Sequence, residues 1–358
     1  MLAVSHPTRR EYMKRIPRDP EKHEVLTLFD SIGKKRDLKL QDKDSETAFL
    51  ESVSSSVTVN KDTPIMLHGR RIEAMFGYIS ASLGECLLIK QEDAGETFSV
   101  NTNIQPPDYR IVLKNGAEIF VEVKNCHKTN PSYKYQIKSI YLDSLQNYAK
   151  LFNIDLKIAL YWSKWNAWTL ISPRVLKNKE TKHCITFIDA MKVNEMSTLG
   201  DRSIGTTPPL VLRFVTDKEK PRSINSEGNV AFTIGAVELK CGKNTIEDDI
   251  EKTLAFQFML YGRWPSSEPR AIIENNELLA IEFSAEPEEY NEEQGFSILD
   301  SLSGMIARRY NELTSTDGKV DKLSPSVEPG SIGIFIPKDF KGKKLPLWQF
   351  ILQPNCEA

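Results

Sequence analysis

Asp108, Glu122 and Lys124 are the residues whose types and spacing could do chemistry together in this sequence. Side chains at i and i+2 of a strand point to the same face, so Glu122 and Lys124 project side by side if they lie on a strand. Two carboxylates beside an ammonium suit Mg²⁺, which usually keeps several waters and also binds phosphate oxygens. Such an ion polarises a phosphate and makes a bound water more acidic. The ammonium would orient that water or neutralise charge that develops on the phosphate.

A β-hairpin is the element that must bring the two carboxylates together. Apolar runs at 109–113 and 119–123 flank a short segment that ends in Gly116, which is typical of a hairpin whose glycine supplies a positive φ. A two-residue loop would turn Asp108 to the opposite face from Glu122. A three-residue loop, with Gly116 in the left-handed conformation, would set the two carboxylates opposite each other. We therefore predict the three-residue loop.

The order and spacing of these residues resemble a known catalytic core. Pro107-Asp108 followed by Glu122-Val123-Lys124 is similar to the motif of the PD-(D/E)XK nuclease superfamily, which includes many type II restriction endonucleases and archaeal Holliday-junction resolvases. The resemblance implies that Asp108, Glu122 and the carbonyl of Val123 bind Mg²⁺ or Mn²⁺. It also implies that Lys124 helps to activate the attacking water. The alternative is a surface hairpin in which Glu122 and Lys124 form an ordinary salt bridge.

Two helices, one on each side of the hairpin in sequence, carry further candidate residues. In the first, Gly69-Arg70-Arg71-Ile72-Glu73 resembles the superfamily's helix with an acidic residue, which implies that Glu73 binds a second ion or a bridging water. In the second, Gln146 resembles the helix glutamine of resolvase-like members, which helps to position the lysine or the phosphate. Either residue could instead be an ordinary surface side chain. Both helices have an apolar stripe at helical spacing, formed by Ile72, Met75, Phe76, Ile79 and Leu83 and by Ile137, Ile140, Tyr141, Leu145, Tyr148, Ala149 and Phe152.

The charge of the chain gives no general sign of nucleic-acid binding. The formal net charge is −2, whereas nucleic-acid-binding domains are usually basic. Positive charge is concentrated locally instead, and such clusters can neutralise phosphates. We expect phosphate contacts from the basic residues around the predicted site, with a solvated surface as the alternative: Arg70, Arg71, Lys128, Lys134 and Lys138.

The composition, 40% hydrophobic and 27% charged, is that of an ordinary soluble globular protein. The sequence has no run of apolar residues long enough to cross a membrane and no signal peptide at its start, so we expect a cytoplasmic protein without a membrane partner. Its five cysteines are dispersed without metal-binding spacing, which argues against a disulfide framework and a zinc site. Cys126 and His127 are adjacent, and adjacent strand residues point apart, so they do not form a nucleophilic pair.

The expected architecture has three parts. Residues 1–60 form short helices, with Asp19 capping the first one, and residues 61–177 form the core. The resemblance covers residues 67–173 and implies an α/β restriction-endonuclease-like core, in which a mixed sheet is flanked by helices. Residues 178–358 form an α+β domain whose role is target recognition, oligomerisation or regulation.

The C-terminal part contains a second hairpin signal and a second Glu-x-Lys. Asn275-Asn276 lies between two apolar runs, which predicts a tight turn between two strands. Glu238-Leu239-Lys240 lacks an upstream aspartate at the distance that separates Asp108 from Glu122. We interpret it as an ordinary strand end, with a degenerate second module or the true site as alternatives.

These features together indicate a metal-dependent endonuclease that hydrolyses phosphodiester bonds. DNA is the expected substrate and RNA the alternative. The resemblance implies a setting in restriction or anti-phage defence and assembly as a homodimer or higher oligomer. The sequence leaves open whether an activating partner protein is needed. A structure-selective or repair nuclease is another reading. The rival of a different class is a catalytically silent nucleic-acid-binding or assembly protein that retains the nuclease fold; it would lack a ligand, and none is missing here.

Overall fold

The structure is a computed structural model that describes residues 12–337 and 339–355. Residues 1–11 of the predicted helical segment, and Lys338 and residues 356–358 of the predicted C-terminal domain, lie outside the described residues. Helices and a mixed sheet alternate in the first half, so the prediction of a mixed α/β fold is confirmed. Within the described ranges no helix is both long and apolar enough to cross a membrane.

Two helices come first in the chain, α1 (Pro20–Arg36) and α2 (Lys43–Lys61). The side chain of Asp19 accepts a hydrogen bond from a backbone N–H in the first turn of α1, as predicted for an N-cap. The helix continues past its internal glycine, Gly33. It continues to Arg36 and stops where Asp37 adopts a left-handed conformation, with φ 53°.

The central sheet has five strands, and a third helix precedes it. The elements in chain order are α3 (Pro64–Leu83), β1 (Cys86–Gln91), β2 (Tyr109–Leu113), β3 (Glu118–Cys126), β4 (Tyr135–Lys138), α4 (Ser139–Phe152), β5 (Asp155–Trp162) and β6 (Ala167–Ile171). The sheet order is β1-β2-β3-β5-β6, in which β3 and β5 are parallel and the other neighbours are antiparallel. A parallel pair needs a crossover connection, and α4 lies within it.

The two helices cover opposite faces of this sheet. Alternation along β3 sends Val121 and Val123 into the apolar layer beneath α3, and Phe120 into the layer beneath α4. The predicted stripe of α3 forms the helical side of its layer. Of the predicted α4 stripe, Tyr141, Leu145, Tyr148 and Ala149 do the same. Two of its members depart from the prediction, because Ile140 is 71% exposed and Ile137 lies on β4, ahead of the helix. Because Glu122 shares the face of Phe120, its carboxylate points towards α4.

The turn between β2 and β3 is the three-residue loop that the sequence predicts. The N–H of Leu113 donates to the carbonyl of Ala117 at 2.8 Å, and Gly116 has φ 84°. Tyr109 pairs with Val121, so the next position along the ladder sets Asp108 opposite Glu122. The predicted register is therefore confirmed.

A small three-stranded sheet lies across the predicted boundary at residue 177. It consists of β4, β8 (Lys182–Ile185) and β7 (Lys177–Lys179) in that order, and α5 (Phe187–Lys192) follows it. Ile137, from before the boundary, and Ile185, from after it, belong to the same apolar cluster as α4. The two predicted parts are therefore joined by continuous packing at this point.

The remaining chain forms a second five-stranded sheet, smaller sheets and two helices. In chain order these are β9 (Ser203–Thr206), β10 (Leu210–Thr216), β11 (Ser223–Ile224), β12 (Val230–Ala231), β13 (Ile234–Cys241), β14 (Asn244–Ile246), α6 (Asp249–Tyr261), β15 (Arg270–Glu274), β16 (Glu277–Ala285), β17 (Ser297–Ser301), α7 (Leu302–Thr314), β18 (Ser315–Thr316), β19 (Lys319–Val320) and β20 (Leu347–Phe350). The five-stranded sheet has the order β14-β13-β10-β16-β15. Asn275 and Asn276 both have positive φ between β15 and β16, so the predicted second hairpin is confirmed.

The second Glu-x-Lys lies inside an ordinary strand. Glu238 is on β13, where its cross-strand neighbour on β10 is Arg213. A guanidinium nitrogen of Arg213 is 3.7 Å from a carboxylate oxygen of Glu238. A basic residue thus occupies the position opposite Glu238, where the first motif has Asp108.

Substitution of Gly116 tests whether the turn depends on its left-handed backbone. A Cβ at this position meets no atom within 4 Å, so φ alone decides the effect. We expect Gly116→Val to lower the free energy of unfolding by about 1–2 kcal/mol and Gly116→Asn to cost clearly less, because Asn tolerates this conformation. Urea unfolding of the three proteins measures the difference. Equal losses for Val and Asn would show that the turn does not impose this conformation.

Candidate functional site

Asp108 and Glu122 form the centre of a buried site at the end of the β2–β3 ladder. Asp108 is 8% exposed and Glu122 is 2% exposed. One carboxylate oxygen of Asp108, Oδ2, accepts a hydrogen bond of 2.6 Å from the backbone N–H of Val123. Asp108 is therefore fastened to the strand that carries Glu122, with the two carboxylates on one face of the sheet.

Lys124 and Tyr141 hold the carboxylate of Glu122 from two sides. The Lys124 ammonium and the Tyr141 hydroxyl both donate to Oε1 of Glu122. The two donors also meet each other, since Lys124 Nζ lies 3.2 Å from the Tyr141 hydroxyl. Glu122 and Lys124 thus project together, as strand periodicity predicts, and α4 adds a third polar group to the site.

Tyr141 is a site residue that the sequence analysis assigned only to an apolar stripe. A signal for it existed, because a tyrosine in a buried stripe needs a partner for its hydroxyl. The sequence could not show which group that partner was. Its identification required the packing of α4 against the face of β3 that carries Glu122.

The electrostatics of the site follow from the burial of two close carboxylates. Burial and, after it, the charge of Glu122 raise the pKa of Asp108 to about 8, although Lys124 and the Val123 N–H act to lower it. Burial alone would lower the pKa of Lys124, but Glu122, Tyr141 and Asp108 together raise it above its ordinary value. Burial, followed by the charge of Glu122, also raises the pKa of Tyr141. Near neutral pH, Lys124 is therefore charged and Tyr141 is protonated.

Glu92 extends the site into a row of three carboxylates across three strands. Its N–H donates to the carbonyl of Asp108 at 2.9 Å, which continues the β1–β2 pairing by one residue and sets Glu92, Asp108 and Glu122 in register. The hydroxyl of Tyr148 donates to Oε1 of Glu92 at 2.7 Å, and Lys90 Nζ lies 3.5 Å from Oε2. Glu92 is not recognisable as a site residue from the sequence, because it follows an edge strand and belongs to no motif.

Tyr141 and Tyr148 bind the two ends of this row. Seven residues of helix rise about 10.5 Å, and two strand spacings measure about 9.6 Å. The two tyrosines therefore match the separation of Glu122 and Glu92, while Asp108 lies between them without a tyrosine partner. This match aligns α4 with the strand ends that carry the carboxylates.

Glu73 lies on α3, which covers the face of the sheet opposite to α4. Its backbone carbonyl accepts a hydrogen bond of 3.1 Å from the Tyr109 hydroxyl, and its carboxylate is bound by Arg70 at 3.0 Å. Arg70 also reaches Asp93, at 3.2 Å. Glu73 is close enough to Asp108 that its charge contributes to the raised pKa of that residue. Gly77 leaves the space for Tyr109, whose hydroxyl would lie 3.0 Å from a Cβ at that position.

Gln146 is not brought into contact with the carboxylates. It is half-buried on α4, and among the described residues none forms a hydrogen bond with its amide. Tyr141, not Gln146, is the α4 side chain that contacts Glu122 and Lys124. A role for Gln146 stays a prediction.

The predicted basic residues differ in position. Arg71 is buried, where its guanidinium donates to Asn311 at 2.7 Å and to Thr314 at 2.8 Å, so it joins α3 to α7. Burial lowers the pKa of Arg71. Arg71 therefore does not belong to the exposed basic surface, because its guanidinium binds Asn311 and Thr314 in the interior. The other four predicted basic residues are exposed: Arg70, Lys128, Lys134 and Lys138.

The oxygen atoms at the centre of the site fit a divalent cation that keeps part of its water shell. Oδ1 of Asp108 and Oε2 of Glu122 accept no hydrogen bond from a described residue, whereas the other oxygen of each carboxylate does. Within the described residues, no group of three or more His, Cys, Asp or Glu side chains is arranged to hold a metal by itself. Two carboxylates and a backbone carbonyl would leave positions for water and phosphate, which is how Mg²⁺ is usually bound.

Comparisons with known proteins add little to this geometry. No protein-family model and no curated protein matches the chain. One solved structure with some similarity is Hjc of Archaeoglobus fulgidus, a Holliday junction resolvase, at 19% identity and a TM-score of 0.23. The match covers 28% of this chain and 76% of that chain. A likeness of this size does not establish fold or function.

The raised pKa of Asp108 predicts how stability changes with pH. In EDTA, the pKa of Asp108 is near its ordinary value of 3.8 in the unfolded chain, whereas in the folded protein it is about 8. Its contribution to stability is therefore lost as pH rises between these values. We expect Asp108→Asn to be more stable than the wild type at pH 8, by on the order of 1 kcal/mol or more, and this gain to vanish towards pH 4. Thermal unfolding across this pH range measures it.

Asp189→Asn is the matched control for this experiment. The hydrogen bond from Thr186 and the nearby lysines lower the pKa of Asp189, so its charged form contributes stability above pH 4. Its replacement should lower the Tm at pH 8, the opposite sign to Asp108→Asn. A stability gain for Asp108→Asn that is the same at all pH values would show that carboxylate ionisation is not its cause.

Proposed function

We propose that this chain is a metal-dependent endonuclease that hydrolyses phosphodiester bonds in DNA. The observation that supports it most is the placement of Asp108 and Glu122 opposite each other on adjacent strands, with Lys124 beside them. The carboxylates are buried, while the side chain of Lys124 is 27% exposed. A phosphate could therefore approach the site from the side of Lys124.

Asp108, Glu122 and the carbonyl of Val123 are the groups that would hold Mg²⁺ or Mn²⁺. When bound, the ion would polarise the scissile phosphate and acidify a bound water. The carboxylate pair supports this assignment because two close, buried carboxylates are poorly compensated by Lys124 alone. A divalent cation would supply the missing positive charge.

Lys124 would act as a cation and hydrogen-bond donor. Its pKa is raised by Glu122, so the ammonium keeps its proton at neutral pH and is unsuited to be a general base. It can instead orient the attacking water or stabilise negative charge that develops on the phosphate. Tyr141 would hold Glu122 and Lys124 in a fixed relation, as a positioning residue.

Glu73 and Gln146 have more distant roles in the proposal. Glu73 would bind a second ion or a bridging water, since it lies close enough to Asp108 to interact electrostatically. Arg70, which is exposed and bound to Glu73, would contact a phosphate beside the site. Gln146 would help to position the lysine or the phosphate.

The wider setting of this activity is part of the proposal and rests on the sequence resemblance. It comprises a role in restriction or anti-phage defence, assembly as a homodimer or higher oligomer, and activation by a partner protein. A silent nucleic-acid-binding protein with the same fold is the rival. The presence of Asp108, Glu122 and Lys124 in one buried site favours the enzyme, because a silent relative has no need to retain this costly arrangement.

Cleavage assays with site variants test the proposed activity. Plasmid, linear duplex, single-stranded DNA and RNA are incubated with the protein and Mg²⁺, Mn²⁺ or EDTA. We expect DNA cleavage that requires the metal, and a loss of at least about 100-fold in Asp108→Asn and in Lys124→Ala, because each variant removes charge from the reacting centre. Gel electrophoresis of the products measures it.

The second Glu-x-Lys supplies the matched control. Glu238→Gln with Lys240→Ala changes the same residue types on another strand and should leave cleavage unchanged. If Asp108→Asn and Lys124→Ala cut as fast as the wild type, the proposal is wrong. Calorimetric binding of Mn²⁺ that Asp108→Asn abolishes, without cleavage of any substrate, would favour the silent protein or one that needs an activator.

Tyr141→Phe tests the positioning role of the hydroxyl. Loss of one donor to Glu122 should lower the rate of cleavage by about tenfold, equivalent to about 1.4 kcal/mol, with little change in substrate affinity. Single-turnover rates over a series of DNA concentrations separate the two effects. Tyr148→Phe is the control, since its hydroxyl binds Glu92 at the far end of the row and should matter less. Equal effects of the two variants would contradict a specific role for Tyr141.

A further inference from the structure

The small sheet of β4, β8 and β7 carries four exposed lysines on one face, here called the lysine ladder. Lys138 pairs with Lys182, and Lys182 pairs with Lys179, so three ammonium groups lie in register across three strands. Lys177 is two residues from Lys179 on β7 and projects to the same face. All four residues are exposed.

This arrangement is electrostatically unfavourable for the isolated protein. Like charges directly opposite each other on neighbouring strands are destabilising. Local compensation is small: Lys182 donates to the neutral amide of Gln136 at 3.0 Å, and Lys177 lies 3.5 Å from Asp189. Lys138 and Lys179 form no ion pair with any described residue. The ladder therefore presents positive charge that an external anion could neutralise.

The ladder is held in a fixed position next to the candidate site. Its opposite face packs into the core through Ile137, which belongs to the apolar cluster around α4. The N–H of Ser139, the first residue of α4, donates to the carbonyl of Thr181 in the β7–β8 turn at 2.8 Å. Two residues further along α4, Tyr141 contacts Glu122 and Lys124. The same helix start thus links the ladder to the site.

We propose that the lysine ladder binds the phosphate backbone of double-stranded DNA and leads the duplex to the candidate site. This choice of ligand rests on the proposed nuclease function. Three strands span about 10 Å, a length over which duplex DNA carries roughly six phosphate charges. The strand positions on the ladder face carry no aromatic side chain, since they are occupied by Gln136, Cys184 and the four lysines. Single-strand binding normally uses aromatic stacking, so this face suits backbone contact with a duplex.

The ladder is distinct from the basic set expected from the sequence. Only Lys138 belongs to both, because Lys177, Lys179 and Lys182 are far from the catalytic motif in sequence. Strand pairing between β4, β8 and β7 brings them beside Lys138. The proposed DNA path therefore includes residues from both sides of the predicted domain boundary.

Binding measured without cleavage tests this proposal. A fluorescently labelled DNA duplex is titrated with the protein in EDTA, and the anisotropy is followed over a series of salt concentrations. Each phosphate contact contributes about −0.9 to the slope of log K against log salt. We expect Lys179→Ala with Lys182→Ala to reduce the slope by about 1–2 and to weaken binding at low salt at least about tenfold. Lys218→Ala with Lys220→Ala, two exposed lysines after β10, should leave both unchanged.

The outcomes separate the ladder from the nuclease proposal. A slope and an affinity that are the same in the ladder variant, the control variant and the wild type would overturn the ladder, while metal-dependent cleavage could still be present. Ladder-dependent binding without any cleavage would support the ladder and count against the nuclease. Stronger ladder-dependent binding of single-stranded DNA or of an RNA duplex would overturn the assignment to duplex DNA.

Thermal unfolding shows whether the ladder variant is folded, and it also tests whether the ladder lysines repel each other. At low salt and without DNA, the ladder variant should have a Tm equal to or above that of the wild type, because two opposed charges are removed. A fall in Tm would show that Lys179 and Lys182 are not in mutual repulsion, and would contradict the electrostatic argument for the ladder.

Discussion

The close approach of two buried carboxylates, Asp108 and Glu122, is the constraint on which the rest of the structure depends. The β2–β3 register makes this approach, and the register depends on one loop of three residues with Gly116 in the left-handed conformation. One residue more or fewer in that loop would turn Asp108 to the other face. A local backbone preference thus decides whether the candidate site exists.

Burying these carboxylates has a cost that the surrounding elements partly offset. The Val123 N–H, the Lys124 ammonium and the Tyr141 hydroxyl supply donors, yet the pKa of Asp108 is still raised to about 8. Strained or poorly compensated groups of this kind concentrate at functional sites, where a ligand relieves them. The same reasoning applies to the lysine ladder, in which Lys138 and Lys179 form no ion pair with any described residue. A negatively charged duplex beside a cation at the carboxylates would compensate both regions.

The C-terminal part supports the site in addition to any role of its own. Arg71 of α3 is bound by Asn311 and Thr314 of α7, so the helix that carries Glu73 is anchored to residues far along the chain. The small sheet joins β4 to β8 in the same way, next to the start of α4. Both helices that border the carboxylates therefore depend on contacts with the second half. Residues on both sides of the predicted boundary at residue 177 therefore contribute to the position of these helices.

The sequence by itself determined the features that depend on local periodicity and turn chemistry. These include the strand pair that carries Glu122 and Lys124, the three-residue loop, the apolar stripe of α3, and the hairpin at Asn275 and Asn276. Tertiary structure alone decided which side chains meet from separate elements. It placed Tyr141 on Glu122, added Glu92 to the carboxylate row, buried Arg71 and aligned Lys138, Lys179 and Lys182. The physical reason is that alternation and helical spacing assign a residue to a face, whereas contacts between distant segments depend on how those faces pack.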